Sequence, residues 1–459
     1  MTTPTDKLMK ESINAVQIAI PSGSTEEVTP LKREIDNSEN LHHSKKRFTT
    51  AKDRREHRHR NFINRKGNRD DKELLESKGD GKDSNEPKEP RMPKKKVAVL
   101  VGFCGTGYQG MQINHNAKTI EDDLFKAFVA AGAVSKDNSD DPKKVSLMRA
   151  ARTDKGVHAA GNLISLKISL LLRYVKVIRS FHAKTLCDSR IYEYLLPTYV
   201  FMPPEQKSNS VVSNENVNVF TDFPLATTEE MIEKRKYRIS QETLEYVRQG
   251  FKAYEGTHNY HNFTIGRNPQ EKSCNRYIVN FQVGDPKMIN DTEWISLKVH
   301  GQSFMLHQIR KMVSLIIMIV RTRTPTSLIA NTFTQVKINI PKAPALGLLL
   351  ERPVFNSYNR KSKDQGKEVI DYDIYQGQID KFKDRFIYSK IFEEELAENT
   401  FQNWLNAIDQ HTGRDYGYLN PEGVIPESAI VKHGERQKYY NDQADDDESV
   451  QAKNDQLND

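Results

Sequence analysis

The strongest constraint on how this chain folds is a change of pattern at Pro93. The residues before it show no sustained hydrophobic periodicity and end in Pro87, Pro90 and Pro93, and prolines at such spacing interrupt regular elements. Charged residues make up 29% of the 459 residues, so part of the chain lacks the apolar surface that folding must bury. We therefore expect a disordered basic tail over 1–93 and a first ordered element at Lys94.

Strand and helix patterns follow one another irregularly after Lys94. The spacing of apolar residues predicts a helix from Ile120, a second helix capped by Ser240, and a third over Phe304–Val320. Such a mixture favours an α+β fold over a doubly wound parallel sheet. Apolar runs and period-two alternation predict strands at Val97–Phe103, Leu163–Ile168, Arg190–Leu196 and Trp294–His300.

Cysteine usage and hydropathy indicate a soluble intracellular protein. The three cysteines form no Cys-x-x-Cys pair, which argues against a disulfide framework and against a thiolate zinc site. The longest apolar run, Met312–Val320, is about half of the roughly 20 residues that a membrane span needs. No apolar signal segment follows the polar stretch Met1–Lys10.

A basic block lies between Leu41 and Arg69, where eleven lysines and arginines oppose two acids. Clustered cations bind phosphates by displacing counterions, so the block is typical of a nuclear-import signal or a non-specific RNA-binding arm. The alternative is a solvated tail that binds nothing. The acidic run Asp445–Glu448 is interpreted only as part of a disordered tail.

The glycine-rich run Gly102–Gly110 follows the first predicted strand. It lacks the Gly-Lys-Ser/Thr ending of a nucleotide P-loop and the Gly-x-Gly-x-x-Gly spacing of a dinucleotide site. A tight turn whose backbone passes close to a ligand or another strand is the favoured interpretation. A nucleotide-dependent enzyme remains the alternative.

Asp154 is the candidate catalytic carboxylate. It lies between Arg152 and Lys155 in a loop before a predicted strand, and neighbouring cations stabilise an ionised carboxylate, which suits a nucleophile. An ordinary charged turn is the alternative. Arg310 favours the catalytic interpretation of Asp154 over the ordinary charged turn. An arginine on the apolar stripe of a helix requires a paired carboxylate, and Asp154 is the predicted partner.

Six ordered motifs resemble the TruA family of tRNA pseudouridine synthases, particularly its eukaryotic nuclear branch best known from fungi. The resemblance spans roughly residues 92–390. The motifs are GTGYQG at 105–110, RTDKGVHA at 152–159, RIYEY at 190–194, GTHNYHNFT at 256–264, GQSFMLHQIRKMV at 301–313 and APALGL at 343–348.

The resemblance implies an α+β, TruA-like pseudouridine synthase fold. Two ferredoxin-like halves would share a mixed, largely antiparallel sheet with a central RNA-binding cleft. The expected domains after the tail are an N-terminal catalytic half at 94–200, a polar linker or insertion at 201–240, a C-terminal half at 241–395, a helical extension at 396–435 and an acidic disordered tail at 436–459.

The resemblance also implies roles for individual residues. Asp154 would attack the target nucleoside, Tyr192 would stack on the flipped uracil and assist removal of its C5 proton, and Arg310 would pair with Asp154. Arg152 would hold the target nucleotide out of its stack. The remaining expected substrate-binding residues are Tyr108, Gln109, Lys155, His158, Arg190, Phe304 and Leu348.

The expected substrates are uridines at several tRNA positions, in the anticodon stem and the anticodon, with small nuclear RNA and messenger RNA as further candidates. We expect a monomer in the nucleus, without membrane association and without a cofactor required for the chemistry. A structural zinc is a candidate from the resemblance, but His258 and His261 with Cys274 make no convincing ligand set, and turn hydrogen bonds are the favoured role of both histidines.

One segment departs from the family pattern. The family has a helix and connecting segment of roughly 20 residues between the strand after the catalytic run and the element that is Phe181–Lys184 here, where this chain has only the short connection near 168–175, and such a helix ordinarily covers apolar surface. A catalytically impaired RNA-binding or tRNA-folding paralogue is therefore the alternative function.

Overall fold

The computed structural model describes residues 93–114, 116–169, 174–204, 224–410 and 416–432. All of them belong to one compact unit, Pro90–Asp459. The predictions for the basic tail before Pro93, for most of the polar loop after residue 204 and for the acidic tail fall outside the described residues.

One mixed sheet organises the described part of the chain. Its order is β4-β1-β3-β10-β5-β9-β7-β6, with β2 beside β3 and β8 beside β9. The pairing of β3 with β10 is parallel, and the other pairs are antiparallel. The strands are β1 Lys95–Phe103, β2 Met148–Arg149, β3 His158–Ile168, β4 Val175–Lys176, β5 Ser189–Pro197, β6 Gly256–Asn259, β7 Asn275–Val283, β8 Lys287–Ile289, β9 Thr292–Gly301 and β10 Leu348–Val354.

Helices complete the α+β architecture that the sequence predicts. They are α1 Ile120–Ala130, α2 Thr228–Arg235, α3 Gln241–Lys252, α4 Gln308–Thr322, α5 Leu328–Asn331, α6 Asn356–Asp364, α7 Gln376–Phe382, α8 Ser389–Glu398 and α9 Thr400–Gln410, with a π-helical segment at Lys383–Tyr388. Short 3-10 helices occur at 136–138, 142–145, 198–201, 261–263, 272–274, 373–375 and 427–429. None of the helices in the described ranges is long and apolar enough to cross a membrane.

Local sequence explains where several elements begin. Ser240 caps α3 as predicted, because its hydroxyl accepts a hydrogen bond from the Thr243 N–H at 3.1 Å. In β9 the alternating residues Ile295, Leu297 and Val299 are all buried, as a strand with one face on the core requires. The four predicted strands and the helix from Ile120 are likewise present.

The helix predicted over Phe304–Val320 begins later than expected. His307 has a left-handed backbone with φ of 60°, so α4 starts at Gln308, because a left-handed residue cannot continue a right-handed helix. Leu306 therefore lies before the helix rather than on its apolar stripe. From Ile309 onward α4 is almost wholly buried, while Arg310 is half-buried.

Strand β10 carries the C-terminal part of the chain into the middle of the sheet. It lies between β3 and β5, with Leu349 opposite His158 and Leu350 opposite Tyr192. The residues just before β3, the middle of β5 and the start of β10 consequently meet at one place, although they are far apart in sequence.

The connection after β3 is short. β4 begins at Val175 and pairs with the outer edge of β1, where Ala98 lies opposite Val175; residues 170–173 of the connection fall outside the described residues. Within the described residues from 93 to 204, no large hydrophobic side chain is among the exposed ones.

Candidate active site

A cavity of about 920 Å³ lies where the Asp154 loop, β5, β10 and the segment before α4 meet. Three predicted site residues, Tyr108, His158 and Arg310, are not part of its lining. Eight of the eleven predicted site residues line it, namely Gln109, Arg152, Asp154, Lys155, Arg190, Tyr192, Phe304 and Leu348.

The Asp154 loop is held against the glycine-rich run. The Gly156 N–H donates to the Tyr108 carbonyl at 3.2 Å, and the Val157 N–H donates to the Asp154 carbonyl at 3.1 Å. A β-carbon on Gly105 would lie 2.2 Å from the Val157 carbonyl oxygen, so a side chain there would clash with backbone. The glycine run makes a tight turn, with the Tyr108 N–H donating to the Gly105 carbonyl at 3.0 Å, and it packs against the loop that leads into β3.

Asp154 is ionised and partly accessible. About 22% of its side chain is exposed, and its Oδ2 lies 3.0 Å from His307 Nδ1. Burial alone would raise its pKa, but His307, through its charge and hydrogen bond, together with the charges of Arg310 and Lys342, holds the pKa below its usual value.

The charge of Arg310 lowers the pKa of Asp154. Its Nε donates to the Ala343 carbonyl at 2.7 Å, and the Ala343 N–H donates back to the Arg310 carbonyl at 3.2 Å. His307 donates the hydrogen bond to Asp154, and the charge of Arg310 lowers the pKa of Asp154, so a direct pairing of Arg310 with Asp154 stays a prediction.

Tyr192 forms an aromatic wall beside Asp154. It is only 8% exposed, and its ring makes an edge-to-face contact with Phe304 at a centroid distance of 5.2 Å. Burial raises the pKa of Tyr192, Arg190 opposes that shift and Asp154 adds to it. The phenol is therefore neutral at physiological pH. Leu348, at the start of β10, adds apolar surface to the same cavity.

The basic side chains around the cavity differ in how they are held. Arg190 donates to the Ala150 carbonyl from Nη2 at 2.8 Å and to the Gln302 carbonyl from Nη1 at 3.2 Å, so it joins two loops of the wall. Arg152 and Lys155 are exposed beside Asp154. Exposed cations at the mouth of a cavity suit a phosphate backbone.

His158 and Tyr108 lie outside the cavity lining, and their roles in substrate binding stay predictions. His158 is fully buried, and its Nδ1 accepts a hydrogen bond from the Gly105 N–H at 3.1 Å. Burial lowers its pKa to about 4, with a smaller contribution from the charge of Lys390. The Tyr108 hydroxyl donates to Asp123 at 2.9 Å. Both side chains therefore hold the scaffold, because β3 turns His158 inward and α1 supplies the partner of Tyr108.

His307 and Lys342 are the polar residues that the sequence prediction missed. Both are buried and act on Asp154, one by a hydrogen bond and one by its charge. His307 lies inside the GQSFMLHQIRKMV motif three residues before Arg310, and that proximity was the available signal. Lys342 precedes the APALGL motif and gave no comparable signal.

The histidines considered for metal binding contact backbone and amide oxygens. His258 Nε2 lies 2.9 Å from the Glu255 carbonyl, within a turn. His261 Nδ1 lies 3.1 Å from Asn259 Oδ1, while its Nε2 lies 2.8 Å from the carbonyl of Val336, 75 residues away. Across the described ranges, no group of three or more His, Cys, Asp or Glu residues could hold a metal ion. The described residues thus do not fit a structural zinc site.

A half-buried, ionised carboxylate beside a neutral tyrosine, in a cavity bordered by cations, defines an α+β enzyme with a candidate nucleophile for a nucleic-acid substrate. Residues 251–356 match a family model described as tRNA pseudouridine synthase. The chain is similar to tRNA pseudouridine synthase 1 of Yarrowia lipolytica, at 40% identity over 80% of this chain and 85% of the relative.

Two further fungal relatives agree. The protein of the same name from Schizosaccharomyces pombe is 37% identical over 77% of this chain and 90% of its own length. That from Saccharomyces cerevisiae is 44% identical over 70% of this chain and 73% of its own length. The chain belongs to the tRNA pseudouridine synthase family, whose members are isomerases that act on tRNA.

Proposed function

We propose that this chain isomerises uridine to pseudouridine at several tRNA positions, in the anticodon stem and the anticodon. The observation that carries the proposal is Asp154, held ionised in the cavity by His307, Arg310 and Lys342 while Tyr192 lines the same space. Family membership supports the reaction class.

The chemistry assigned to Asp154 is nucleophilic. Its carboxylate attacks the ribose C1′, and the bond from C1′ to uracil N1 breaks; after the base rotates, C5 attacks C1′ and the bond from Asp154 to C1′ breaks. The C5 proton leaves and N1 gains a proton, so atoms and charge balance without an oxidant. Tyr192, as a neutral phenol, stacks on the base and relays the C5 proton through its hydroxyl.

The cation beside Asp154 has a separate task. A uridine in a helical stem must leave its stack before Asp154 can reach it, which costs a few kcal/mol. Arg152 is exposed next to the carboxylate and is assigned the role of holding the nucleotide out. Replacing Arg152 with Gln should raise KM for tRNA. On a single-stranded oligonucleotide, the accompanying fold-decrease in kcat should be smaller than that fold-increase in KM.

Substrate range can be tested directly. A uridine-containing tRNA transcript, a small nuclear RNA and a messenger RNA fragment would be incubated with the purified protein and mapped for pseudouridine. Modification of the anticodon stem and anticodon is expected, with small nuclear RNA and messenger RNA as further substrates. RNA binding without pseudouridine in any of them would instead support the impaired RNA-binding paralogue.

Cofactor use, assembly and location belong to the same proposal. Uridine and pseudouridine are isomers, so the reaction needs no redox equivalent. After treatment with a chelator that leaves less than one metal ion per chain, the protein should still turn over.

A light-scattering mass equal to that of one chain would support a monomer. The basic block at 41–69 supports nuclear import; its deletion should abolish nuclear accumulation, whereas deletion of residues 1–40 should not.

A further inference from the structure

His307 lies at an unusual point of the backbone. It immediately precedes α4, has φ of 60° and is 4% exposed. A side chain with a β-carbon seldom adopts this left-handed conformation. Two hydrogen bonds stabilise the turn: the Gln308 side chain accepts from the Met305 N–H at 2.9 Å, and the Lys311 N–H donates to the His307 carbonyl at 3.0 Å.

The imidazole connects this turn to the Asp154 loop, 153 residues away in sequence. Its Nδ1 lies 3.0 Å from Asp154 Oδ2. Since an ionised carboxylate only accepts hydrogen bonds, Nδ1 carries the proton. Burial lowers the pKa of His307, with Asp154 opposing the shift and Arg310 and Lys342 adding to it; Nδ1 donates to Asp154 whether or not Nε2 also carries a proton.

The other groups that face Asp154 do not provide the same geometry. Arg310 directs its Nε to the Ala343 carbonyl, Lys342 contributes its charge, and Tyr192 lies nearby as a neutral phenol. Charges from several directions keep the carboxylate ionised, but they do not fix its rotation. A directional hydrogen bond to one oxygen does.

We infer that His307 is a positioning residue: its Nδ1–H holds Oδ2 of Asp154 so that Oδ1 is presented to the nucleoside. This inference rests on the proposed role of Asp154 as the nucleophile. Alignment matters because small displacements of a reacting atom can cost about 100-fold in rate. The left-handed turn before α4 is the backbone feature that brings the imidazole to the loop.

Two substitutions separate the hydrogen bond from the backbone. His307→Gly tolerates the left-handed conformation and removes the donor. His307→Asn also tolerates it and places an amide N–H near the position of Nδ1. We expect His307→Gly to lower kcat by about 10- to 100-fold, with KM for tRNA within about twofold and an unchanged melting temperature, and His307→Asn to restore most of the loss.

The pH profile supplies a readout that a purely structural role would not move. In His307→Gly the acid limb of kcat should shift to higher pH, because Asp154 loses a group that stabilises its charge; in His307→Asn it should stay close to wild type. Wild-type kcat in His307→Gly, or an equal loss in both variants with unmoved profiles, would overturn the inference. Asp154→Ala is measured in parallel: activity in that variant refutes the proposed function, whereas its inactivity beside a fully active His307→Gly refutes only the role of His307.

Discussion

At the scale of single residues, the charge state of Asp154 depends on groups from two separate segments. His307 and Arg310 lie at the N-terminus of α4, and Lys342 precedes β10. Together they outweigh the burial that would otherwise raise the pKa of the carboxyl group. The site is thus prepared to present an anion before RNA arrives.

Removing one of these charges should be visible in the pH dependence of the reaction. Because Arg310 lowers the pKa of Asp154, Arg310→Gln should move the acid limb of kcat to higher pH and reduce kcat about 10-fold or more. Arg310→Lys keeps the charge and should leave the limb nearer to wild type. Identical pH profiles for wild type and Arg310→Gln would contradict the electrostatic role.

His158 gives a prediction about how folding stability depends on pH. Its pKa is lowered to about 4 by burial, so the unfolded chain binds the proton more readily and folding stability falls as pH drops below about 6.5. From pH 7 to pH 5 the wild type should lose about 2 kcal/mol more unfolding free energy than His158→Asn. Denaturant titrations at both pH values measure this, and equal losses would show that His158 is not buried as a neutral acceptor.

Residue identities at the site could be predicted in part. Eight of the predicted side chains reach the cavity because motif order located their loops. His158, Tyr108 and Arg310 did not, because the direction in which each side chain turns depends on partners distant in sequence, such as the Gly105 N–H for His158 and the Ala343 carbonyl for Arg310. His307 was missed because its left-handed φ is a property of the folded backbone, and no helical periodicity marks it.

At the scale of elements, the glycine-rich run and the Asp154 loop act as one unit. Gly105 allows the two backbones to approach, since a β-carbon would meet the Val157 carbonyl at 2.2 Å. The carboxylate is therefore placed by a contact between loops rather than by a helix or strand.

A methyl group at Gly105 tests that contact. Gly105→Ala should destabilise the fold by about 2 kcal/mol or more and lower kcat, because the clash is with backbone atoms that carry Asp154. Gly377→Ala is the control, since no heavy atom lies within 4 Å of its β-carbon position, and it should fall within about 1 kcal/mol of wild type. Urea denaturation and single-turnover rates compare the two variants. Equal unfolding free energies and equal rates would mean that the two loops can separate without loss of stability or activity.

Element boundaries followed the sequence where local rules apply. Ser240 caps α3 and β9 alternates as predicted, because capping and period-two burial depend on neighbouring residues. The placement of β10 between β3 and β5 could not be read from periodicity, since a parallel partner is chosen by tertiary packing.

At the scale of the whole molecule, a buried charge network joins the C-terminal helices to the sheet. Lys383 Nζ lies 2.9 Å from Glu193 Oε2 on β5 and 2.6 Å from Glu351 Oε2 on β10. Tyr388 donates to the same Glu193 oxygen at 2.8 Å. Glu193 follows Tyr192 directly, so the network stabilises the back of the strand whose front lines the cavity.

Breaking this network should cost more than removing a surface charge. Lys383→Met leaves two buried carboxylates without their cation, and we expect a loss of about 3–5 kcal/mol in unfolding free energy. The exposed neighbour Lys381 is the control, because Lys381→Met should change stability by less than about 0.5 kcal/mol. Equal urea midpoints for the two variants would contradict the structural role of Lys383.

The α+β class was predictable at this scale from mixed strand and helix patterns, and the largely antiparallel sheet was expected from the family resemblance. The network around Lys383 was not predictable, because it joins residues separated by 190 positions and no single segment shows it.

The most direct test of the central claim is pseudouridine formation by the wild type and by Asp154→Ala on the same uridine-containing tRNA transcript. The partly exposed carboxylate can be removed without opening the core, so the variant should fold and bind tRNA as the wild type does. The account predicts pseudouridine with the wild type and none above background with Asp154→Ala. Equal pseudouridine levels with both proteins would contradict it.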